Sequence, residues 1–299
     1  MSPVICEGAA RLSVQRLCVL AGIARSTYYR KQQVSSKKNE SQHKQLRQEV
    51  HAVCAQWTHY GYRRVTKELR RRGRSVGLKR IRALMRKDNL RCRPKKRWIQ
   101  TTDSNHGYHV YANLARQMVL DRPNQLWVAD ITYIRLIEEF VYLAVILDAF
   151  SRCVVGWALA RHIDTHLTTE ALKMALATRT IEPDLVHHSD RGVQYASTHY
   201  VALLQSKNIS VSMSRTGNPY DNAKAESFIK TLKTEEVSIS EYETLAEAKA
   251  SIGRFIEIVY NQQRLHSALD YRPPVEFEAE YIKSQQNLST LTQQKTVSV

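Results

Sequence analysis

The sequence is short of cysteine and lacks long apolar runs. Its 299 residues include five cysteines, an odd number without a Cys-x-x-Cys pair. This usage excludes a disulfide framework and a cysteine-based zinc cluster, and it fits reduced thiols in a cytosol. No run of 18 or more apolar residues occurs, so no membrane-spanning helix is expected. The first 20 residues carry Glu7 and no compact apolar segment with a cleavage site, so no secretory signal is predicted.

Acidic residues are scarce in one part of the chain. Residues 63–97 contain 17 lysines and arginines against only Glu68 and Asp88, a net charge of +15. Residues 1–62 carry +6 and residues 98–299 carry −4, within a total of +17. The imbalance is too one-sided for an ordinary solvated helix face. It predicts DNA as a partner of the N-terminal third, held chiefly through phosphate contacts.

The N-terminal third is predicted to be all-α, with two helix-turn-helix candidates. Residues 12–30 are predicted to form two short helices around Gly22, within an N-terminal segment of residues 1–35. Either a helix-turn-helix or a plain helical hairpin fits them. Residues 40–97 are predicted as a basic helix-turn-helix DNA-binding domain with a basic strap at its end. The candidate DNA contacts lie on the helix that follows Gly61 and on the strap; they are Arg63, Arg64, Lys67, Arg70, Arg71, Lys95, Lys96 and Arg97.

Two segments of the chain are predicted to carry little core. Residues 98–121 are rich in histidine, tyrosine and asparagine, and we predict a linker there. Zinc ligation by His106 and His109 is one interpretation, but no cysteine stands at a ligand spacing, which favours ordinary loop histidines. Residues 283–299 are polar, and we predict a disordered tail.

Residues 122–282 have the pattern of an α/β domain. Three apolar runs joined by short turns predict an antiparallel meander, namely LWVADITYI, FVYLAVILDAF and CVVGWALA. Two further short strands then alternate with helices, one of which is predicted over 165–178. This order predicts a mixed sheet with flanking helices.

Three acids of this domain fall where strands and a helix can bring them together. Asp130 lies within the first strand, where a charge between two apolar neighbours is costly unless a cation neutralises it. Asp190 ends a later strand, and Glu226 lies on a helix with Lys230 and Lys233 four and seven residues further on, on the same face. Hard cations take carboxylate oxygens, and two Mg²⁺ ions about 4 Å apart support phosphoryl transfer on DNA. The pattern therefore predicts a two-metal site with DNA-binding lysines beside it.

Ordinary interpretations of these residues stay open. Each aspartate taken singly is also typical of a turn or a strand edge, and Glu226 with Lys230 is also typical of a surface ion pair. Asp148, in VILDAFSR, competes for a metal position, and we predict that it either supports the metal ligands or has a structural role. His188 lies two residues before Asp190 and either contacts the substrate or is a satisfied core histidine.

Several of these segments resemble the signature blocks of one transposase family. WVADITYI, HHSDRGVQY and DNAKAESFIKTLKTE resemble the three blocks of the insertion-sequence-three family, relatives of retroviral integrases with a ribonuclease-H-like core. Thirty-five residues separate Asp190 from Glu226, as in that family, and Lys233 stands at the family's basic position seven after the glutamate. YNQQRLHSALDYRPPVEF and HYGYRRVTKEL resemble its closing and N-terminal segments. The resemblance covers about residues 12–280.

The resemblance implies a DDE transposase of a bacterial insertion sequence, which cleaves DNA at the element ends to give a 3′-OH and then transfers strands. It implies two Mg²⁺ ions, replaceable by Mn²⁺, with Asp130 bridging both and Asp190 and Glu226 each holding one. The implied partners are terminal inverted repeats, target DNA, further copies of the chain on DNA, and an upstream-frame product as partner or fusion. The implied location is the cytoplasm, at the nucleoid.

Two other functions remain as alternatives. One is a non-catalytic helix-turn-helix regulator of transposition, against which the intact set of acids argues. The other is a ribonuclease acting on RNA–DNA hybrids, which shares the core but leaves the two helix-turn-helix candidates unexplained.

Overall fold

The chain divides into two compact units, Met1–Cys92 and Arg93–Val299, in a computed structural model. The structure describes residues 13–32, 37–90, 108–215 and 222–297. The first unit is all helical, as predicted. Its helices are α1 (Val14–Leu20), α2 (Arg25–Gln32), α3 (Lys37–Gln56), α4 (Tyr62–Arg71) and α5 (Leu78–Lys87).

Two glycines with left-handed backbone make the sharp turns of this unit. Gly22 (φ 62°) separates α1 from α2, and Gly73 (φ 82°) follows α4 on the way to α5. This conformation is accessible to glycine without a Cβ clash. The α1–α2 pair has the arrangement that both interpretations of residues 12–30 require, so the two stay open.

Helices α3, α4 and α5 pack on one another through a small apolar core. The buried side chains come from one face of each helix: Val50, Val53, Val65, Leu69, Ile81, Leu84 and Met85. The spacing of these residues matches one helical face. Asp88, at the end of α5, accepts hydrogen bonds from Arg47 of α3 (2.7 Å) and lies 2.8 Å from His51 Nε2. The Arg47 guanidinium lowers the pKa of Asp88, which keeps the carboxylate charged in this position.

The second unit is built on a five-stranded mixed sheet. Its strands are β1 (Leu126–Arg135), β2 (Phe140–Asp148), β3 (Val154–Ala160), β4 (Val186–Ser189) and β5 (Ser210–Met213), in the order β3-β2-β1-β4-β5. The β1–β2 and β2–β3 pairs are antiparallel, which confirms the predicted meander. The β1–β4 and β4–β5 pairs are parallel. The α/β class with a mixed sheet, predicted from the sequence, is confirmed.

Helices cover both faces of this sheet. They are α6 (Thr165–Thr178), α7 (Val193–Ala196), α8 (Thr198–Ser206), α9 (Ala223–Leu232), α10 (Leu245–Arg254) and α11 (Pro274–Val297). Helices α9 and α10 continue as wider π-helical segments, Lys233–Val237 and Phe255–Gln263. Short 3-10 turns occupy Ala115–Gln117 and Ser267–Leu269.

Two apolar layers hold the helices to the sheet. Phe228 and Leu232 of α9 belong to the same cluster as Val128 of β1, whereas α6 and α8 pack against the cluster that contains Trp127. Adjacent residues of β1 thus point to opposite layers, as strand geometry requires. Helix α6 crosses β3 closely, because a Cβ at Gly156 would lie 2.1 Å from the carbonyl oxygen of the α6 residue Ala171.

Two segments have contacts or structure that their composition did not predict. Within the predicted linker, the Leu114 amide donates to Ser212 Oγ at 2.9 Å, and the partly buried Met118 and Leu120 pack against the apolar cluster. In the segment predicted to be a disordered tail, α11 runs to Val297. Its composition is polar, but glutamine, lysine and leucine are good helix formers. No helix in the described ranges is both long and apolar enough to cross a membrane.

Candidate active site

Strand β1 places Asp130 at the middle of the sheet. Its Cα pairs with that of Val145 on the neighbouring β2. Val128 and Ile134, two residues before and four residues after Asp130, belong to the apolar cluster beneath α9. Because alternate residues of a strand point to the same face, the side chain of Asp130 lies on the α9 face of the sheet. Its Oδ1 accepts the backbone N–H of Ile131 at 2.9 Å.

Asp130 is a carboxyl group in an unfavourable place for negative charge. Its pKa is raised to about 8, first by burial and next by the negative charge of Asp190. Glu226 adds to this increase, whereas the Ile131 N–H and the positive charge of Lys233 oppose it. The structure therefore brings the sequence-predicted acids into one electrostatic neighbourhood. A divalent cation would reverse the balance by favouring the ionised carboxylate.

Asp190 directly follows β4, which runs parallel beside β1. Its Oδ1 accepts the backbone N–H of Gly192 at 2.9 Å. A Cβ at position 192 would lie 3.0 Å from this oxygen, so glycine allows the loop to close tightly on the carboxylate. Arg191 fixes the same loop by donating from Nε to the Ser214 carbonyl oxygen at 2.8 Å.

Glu226 lies in the first turn of α9. The residue before the helix, Asn222, is buried and donates from Nδ2 to the Ala129 carbonyl oxygen at 2.8 Å, which ties the start of α9 to β1 beside Asp130. The Glu226 side chain itself is exposed. In the part of the chain that the structure describes, no three histidine, cysteine, aspartate or glutamate side chains converge closely enough to hold a metal ion. The three acids share a neighbourhood without meeting at a common point.

The two lysines predicted on the Glu226 face occupy different environments. Lys233 begins the π-helical segment, and its Nζ lies 4.0 Å from the centroid of the Tyr133 ring. Burial lowers the pKa of Lys233, while the charge of Asp130 acts to raise it. Lys230 is exposed. The structure thus places Lys233 beside the acids and leaves Lys230 in solvent.

The structure shows how the two ambiguous residues near the site are used. Asp148 is fully buried, and its carboxylate accepts backbone N–H groups from Asn124 (2.6 Å), Phe150 (2.9 Å) and Ser151 (2.8 Å). Its oxygens hold a turn, which is the structural role of the two that were predicted. His188 is buried, with its ring nitrogens 2.8 Å and 3.0 Å from the hydroxyl oxygens of Ser212 and Ser214. This is the satisfied core histidine of the two interpretations.

Tyr195 is a residue of the site that the sequence reasoning did not single out. It lies on α7, and its ring packs edge-on against that of Tyr200, with centroids 5.5 Å apart. Its buried hydroxyl has no hydrogen-bond partner among the described residues. Burial raises its pKa well above the ordinary range, and the charges of Tyr200, Asp190 and Asp130 add to the increase. The available signal was its position five residues after Asp190 in HHSDRGVQY.

The predicted DNA contacts of the first unit divide into several groups. Arg70 closes a turn by donating from Nε and Nη2 to the Val76 carbonyl oxygen, at 3.0 Å and 2.8 Å. Arg63 and Arg64 lie over the rings of Tyr62 and Tyr60. Lys67 and Arg71 are exposed on α4. Four other predicted residues, Lys95, Lys96, Arg97 and the alternative zinc ligand His106, lie outside the described residues.

A basic groove of the first unit adds cations from α5 that the sequence reasoning did not name. The Arg82 guanidinium lies 5.5 Å from the centroid of the Tyr62 ring. The two acids of this region are already engaged, Glu68 by Arg72 and Asp88 by Arg47. The groove is lined by Tyr62, Lys79, Arg82, Met85, Arg86 and Lys87. The sequence feature that could have predicted this groove is the helical spacing of the cations in LKRIRALMRK.

Family models match both units of the chain. A model described as "Integrase core domain" matches residues 121–219, and a second model with the same description matches residues 207–274. A model described as "HTH-like domain" matches residues 41–98.

Similar solved structures are retroviral integrase cores. The HTLV-2 integrase catalytic core domain in complex with magnesium has a TM-score of 0.42 and 17% identity, over 52% of this chain and 97% of that one. The catalytic core domain of BIV integrase has a TM-score of 0.41 and 17% identity, over 55% of this chain and 99% of that one.

Sequence relatives cover about three quarters or more of the chain. The 31 kDa protein of insertion element IS600 from Shigella sonnei is 38% identical, over 89% of this chain and 98% of the relative. The transposase for IS904 from Lactococcus lactis is also 38% identical, over 73% and 87% of the two chains. Transposase InsF for insertion sequence IS3A from Escherichia coli K12 is 34% identical, over 90% and 95%. The chain therefore belongs to the IS3, or insertion-sequence-three, family of transposases.

Proposed function

We propose that this chain is the catalytic transposase of a bacterial insertion sequence, which cleaves DNA at the element ends and transfers the cut strand into target DNA. The observation that carries the proposal is the placement of three acids on neighbouring elements: Asp130 on β1, Asp190 directly after the adjacent parallel strand β4, and Glu226 in the first turn of α9, whose start is tied to β1. The pKa of Asp130, raised to about 8 by burial and by the charges of the other two acids, supports it. Asp148 shows the contrast, since backbone N–H groups surround its carboxylate. Acids that lie near one another beside a sheet, without enough N–H donors to balance their negative charge, can bind divalent cations. Such cations support phosphoryl transfer.

The donor set fits magnesium because all three candidate ligands are hard carboxylate oxygens. We propose that Asp130, Asp190 and Glu226 together would hold two Mg²⁺ ions, with Mn²⁺ able to substitute. When bound, these ions stabilise charge on the scissile phosphate and on the attacking and leaving oxygens. This assignment requires the exposed Glu226 side chain to turn toward Asp130. The Asn222–Ala129 hydrogen bond holds the start of α9 in place, so a side-chain rotation is the motion we propose.

Lys233 is positioned to hold DNA next to this site. Its ammonium group rests on the Tyr133 ring at 4.0 Å and interacts with the charge of Asp130. An ammonium group held there can bind a backbone phosphate close to the acids. Lys230, exposed three residues earlier, is proposed as a weaker phosphate contact further from the acids.

The first unit is proposed to bind the terminal inverted repeats. Its groove presents cations of α5 around Tyr62, and Arg63, Arg64, Lys67 and Arg71 add charge from α4. We keep Lys95, Lys96 and Arg97 as proposed contacts and give Arg70 the role of closing its turn. Contacts of this kind supply affinity that depends on salt.

The proposed reaction determines how many copies of the chain must act together. Joining two element ends to one target requires at least two active sites, so we propose an oligomer of this chain on DNA. The resemblance to the family also implies that the product of an upstream reading frame acts with this chain, either as a separate partner or as part of a fusion. The proposed location is the cytoplasm, at the nucleoid.

Nicking of a labelled terminal-repeat duplex in the presence of Mg²⁺ tests the proposal. We expect Asp190→Asn and Glu226→Gln to reduce nicking and strand joining by more than about 100-fold, because even the outer partners of metal ligands are typically worth about 10–100-fold. Glu241→Gln, an exposed acid away from the site, is the matched control and should retain activity. The reactions are run with and without the upstream-frame product. Strand joining by Asp190→Asn at the wild-type rate would overturn the assignment.

Thermal unfolding with added Mn²⁺ gives a second readout that does not depend on activity. The wild-type chain and Glu241→Gln should be stabilised by Mn²⁺, and the two site variants should not. DNA binding without nicking under every condition would favour the non-catalytic regulator. Cleavage confined to RNA–DNA hybrids would favour a ribonuclease.

A further inference from the structure

A small pocket in the second unit has two cations facing it from separate elements. Arg152 comes from the turn between β2 and β3, and Lys224 comes from the first turn of α9. The pocket has a volume of about 280 Å³ and opens to solvent. Its other walls include Met118, Leu120, Phe150 and Leu269.

The turn that carries Arg152 is rigidly built. Arg152 has a left-handed backbone (φ 63°), an unfavourable conformation for a residue with a side chain. Its amide donates to the Asp148 carbonyl oxygen at 2.8 Å, and the Asp148 carboxylate holds the backbone N–H groups of Phe150 and Ser151. The fold therefore maintains an arginine in a conformation that glycine or asparagine would adopt more readily.

The charge around the pocket is unbalanced. Neither Arg152 nor Lys224 forms an ion pair within the described ranges, and both side chains are partly buried. Among the described residues, those that line the pocket include no acid. The nearby Asp148 is fully buried, and its carboxylate accepts the N–H groups of Asn124, Phe150 and Ser151. The pocket therefore presents two cations without a carboxylate in its lining.

We propose that Arg152 and Lys224 bind a backbone phosphate of DNA at a position separate from the scissile phosphate. A guanidinium fork and an ammonium group are the usual protein donors to phosphate. Lys224 precedes Glu226 by two residues, about 200° around the helix, so the two side chains leave α9 on opposite sides. A strand that reaches the pocket therefore crosses the start of α9 on the side away from the acids. This inference rests on the proposed function, because it assumes that DNA lies along α9.

The test is DNA binding by the full chain, measured by fluorescence anisotropy on a terminal-repeat duplex without divalent cation, across a range of salt concentrations. Lys224→Gln and Arg152→Gln should each weaken binding by about 3–10-fold at 0.1 M salt. Each should also reduce the slope of log affinity against log salt by about 1, the signature of one lost phosphate contact. Lys224→Arg keeps the charge and should keep most of the slope.

Lys207→Gln, an exposed cation at the end of α8, is the matched control and should keep the wild-type slope. Lys224 lies on a helix, so Lys224→Gln carries the test even if Arg152→Gln fails to fold. Unchanged slopes for Lys224→Gln, or equal losses in Lys207→Gln, would overturn the inference. Saturable binding of inorganic phosphate together with an unchanged DNA slope would overturn it too. Because no cleavage is measured, failure of the nicking assay and failure of this inference are separate results.

Discussion

Replacing Asp130 by asparagine tests whether burial and the neighbouring acids raise the pKa of the Asp130 carboxyl group. The pKa of Asp130 is about 8 in the folded protein against an ordinary value of 3.8. The folded state retains a proton that the unfolded state releases. The contribution of Asp130 to the free energy of unfolding of the metal-free protein is therefore highest below about pH 4 and falls as the pH rises toward 8. Asp130→Asn has no such proton to lose, so it should be more stable than wild type at pH 8.

The size of the effect follows from the shift. About four pKa units correspond to a ceiling of about 5–6 kcal/mol. Asp130 keeps part of its surface in solvent, which screens the charge, so we expect about 2–3 kcal/mol. For a unit of this size, 1 kcal/mol changes Tm by about 2–4 °C. Asp130→Asn should then melt roughly 4–12 °C above wild type at pH 8 without metal.

The assay is a series of thermal melts of both proteins from pH 4 to pH 9, in chelator and in Mg²⁺. The difference in Tm should widen as the pH rises, and Mg²⁺ should close it by stabilising only the wild type. Asp148→Asn is the matched control and should destabilise at every pH in this range, because it loses charge-assisted hydrogen bonds from the turn. A Tm difference that does not change with pH, or equal stabilisation of both proteins by Mg²⁺, would refute the reasoning.

Three further substitutions have defined outcomes. Glu235→Gln should lower the free energy of unfolding in urea by about 3–5 kcal/mol, because it leaves the buried Arg264 guanidinium without the carboxylate that it binds at 2.7 Å and 2.8 Å. Tyr195→Phe should leave the metal-free protein as stable or up to about 1–3 kcal/mol more stable in the same titration, since it removes a buried hydroxyl without a partner; clear destabilisation would show that the hydroxyl is satisfied. Arg82→Gln should reduce the salt slope of DNA binding by about 1, and an unchanged slope would remove the groove from the proposed interface.

Local pattern was sufficient for most elements of the second unit. The helix predicted over 165–178 is α6 (Thr165–Thr178), and the three apolar runs became β1, β2 and β3 with short turns between them. These features depend on periodicity and turn residues within a few positions of one another, which a single sequence displays directly. The polar C-terminal segment, for which a disordered tail was predicted, is helical to Val297, and composition alone does not separate a polar helix from disorder.

Position in the sequence could not separate the acids from one another. Asp130 and Asp148 both occur in apolar strands, yet backbone N–H groups surround Asp148 while Asp190 and Glu226 act on Asp130. The difference arises from which groups the fold brings within reach. Arg70 is a similar case, since its bond to the Val76 carbonyl oxygen is formed only when the α4–α5 turn closes.

The sequence by itself determined the class of fold, the family, and the identity of the three candidate acids, because strand and helix periods and the spacing of signature residues are local properties of the chain. Only the tertiary structure decided that β4 inserts parallel beside β1, so that Asp190 lies close enough to raise the pKa of Asp130. It also decided that Glu226 faces solvent and that Arg152 and Lys224 share a pocket. Charge interactions and burial depend on distances between residues far apart in the chain, and those distances are set when the sheet assembles.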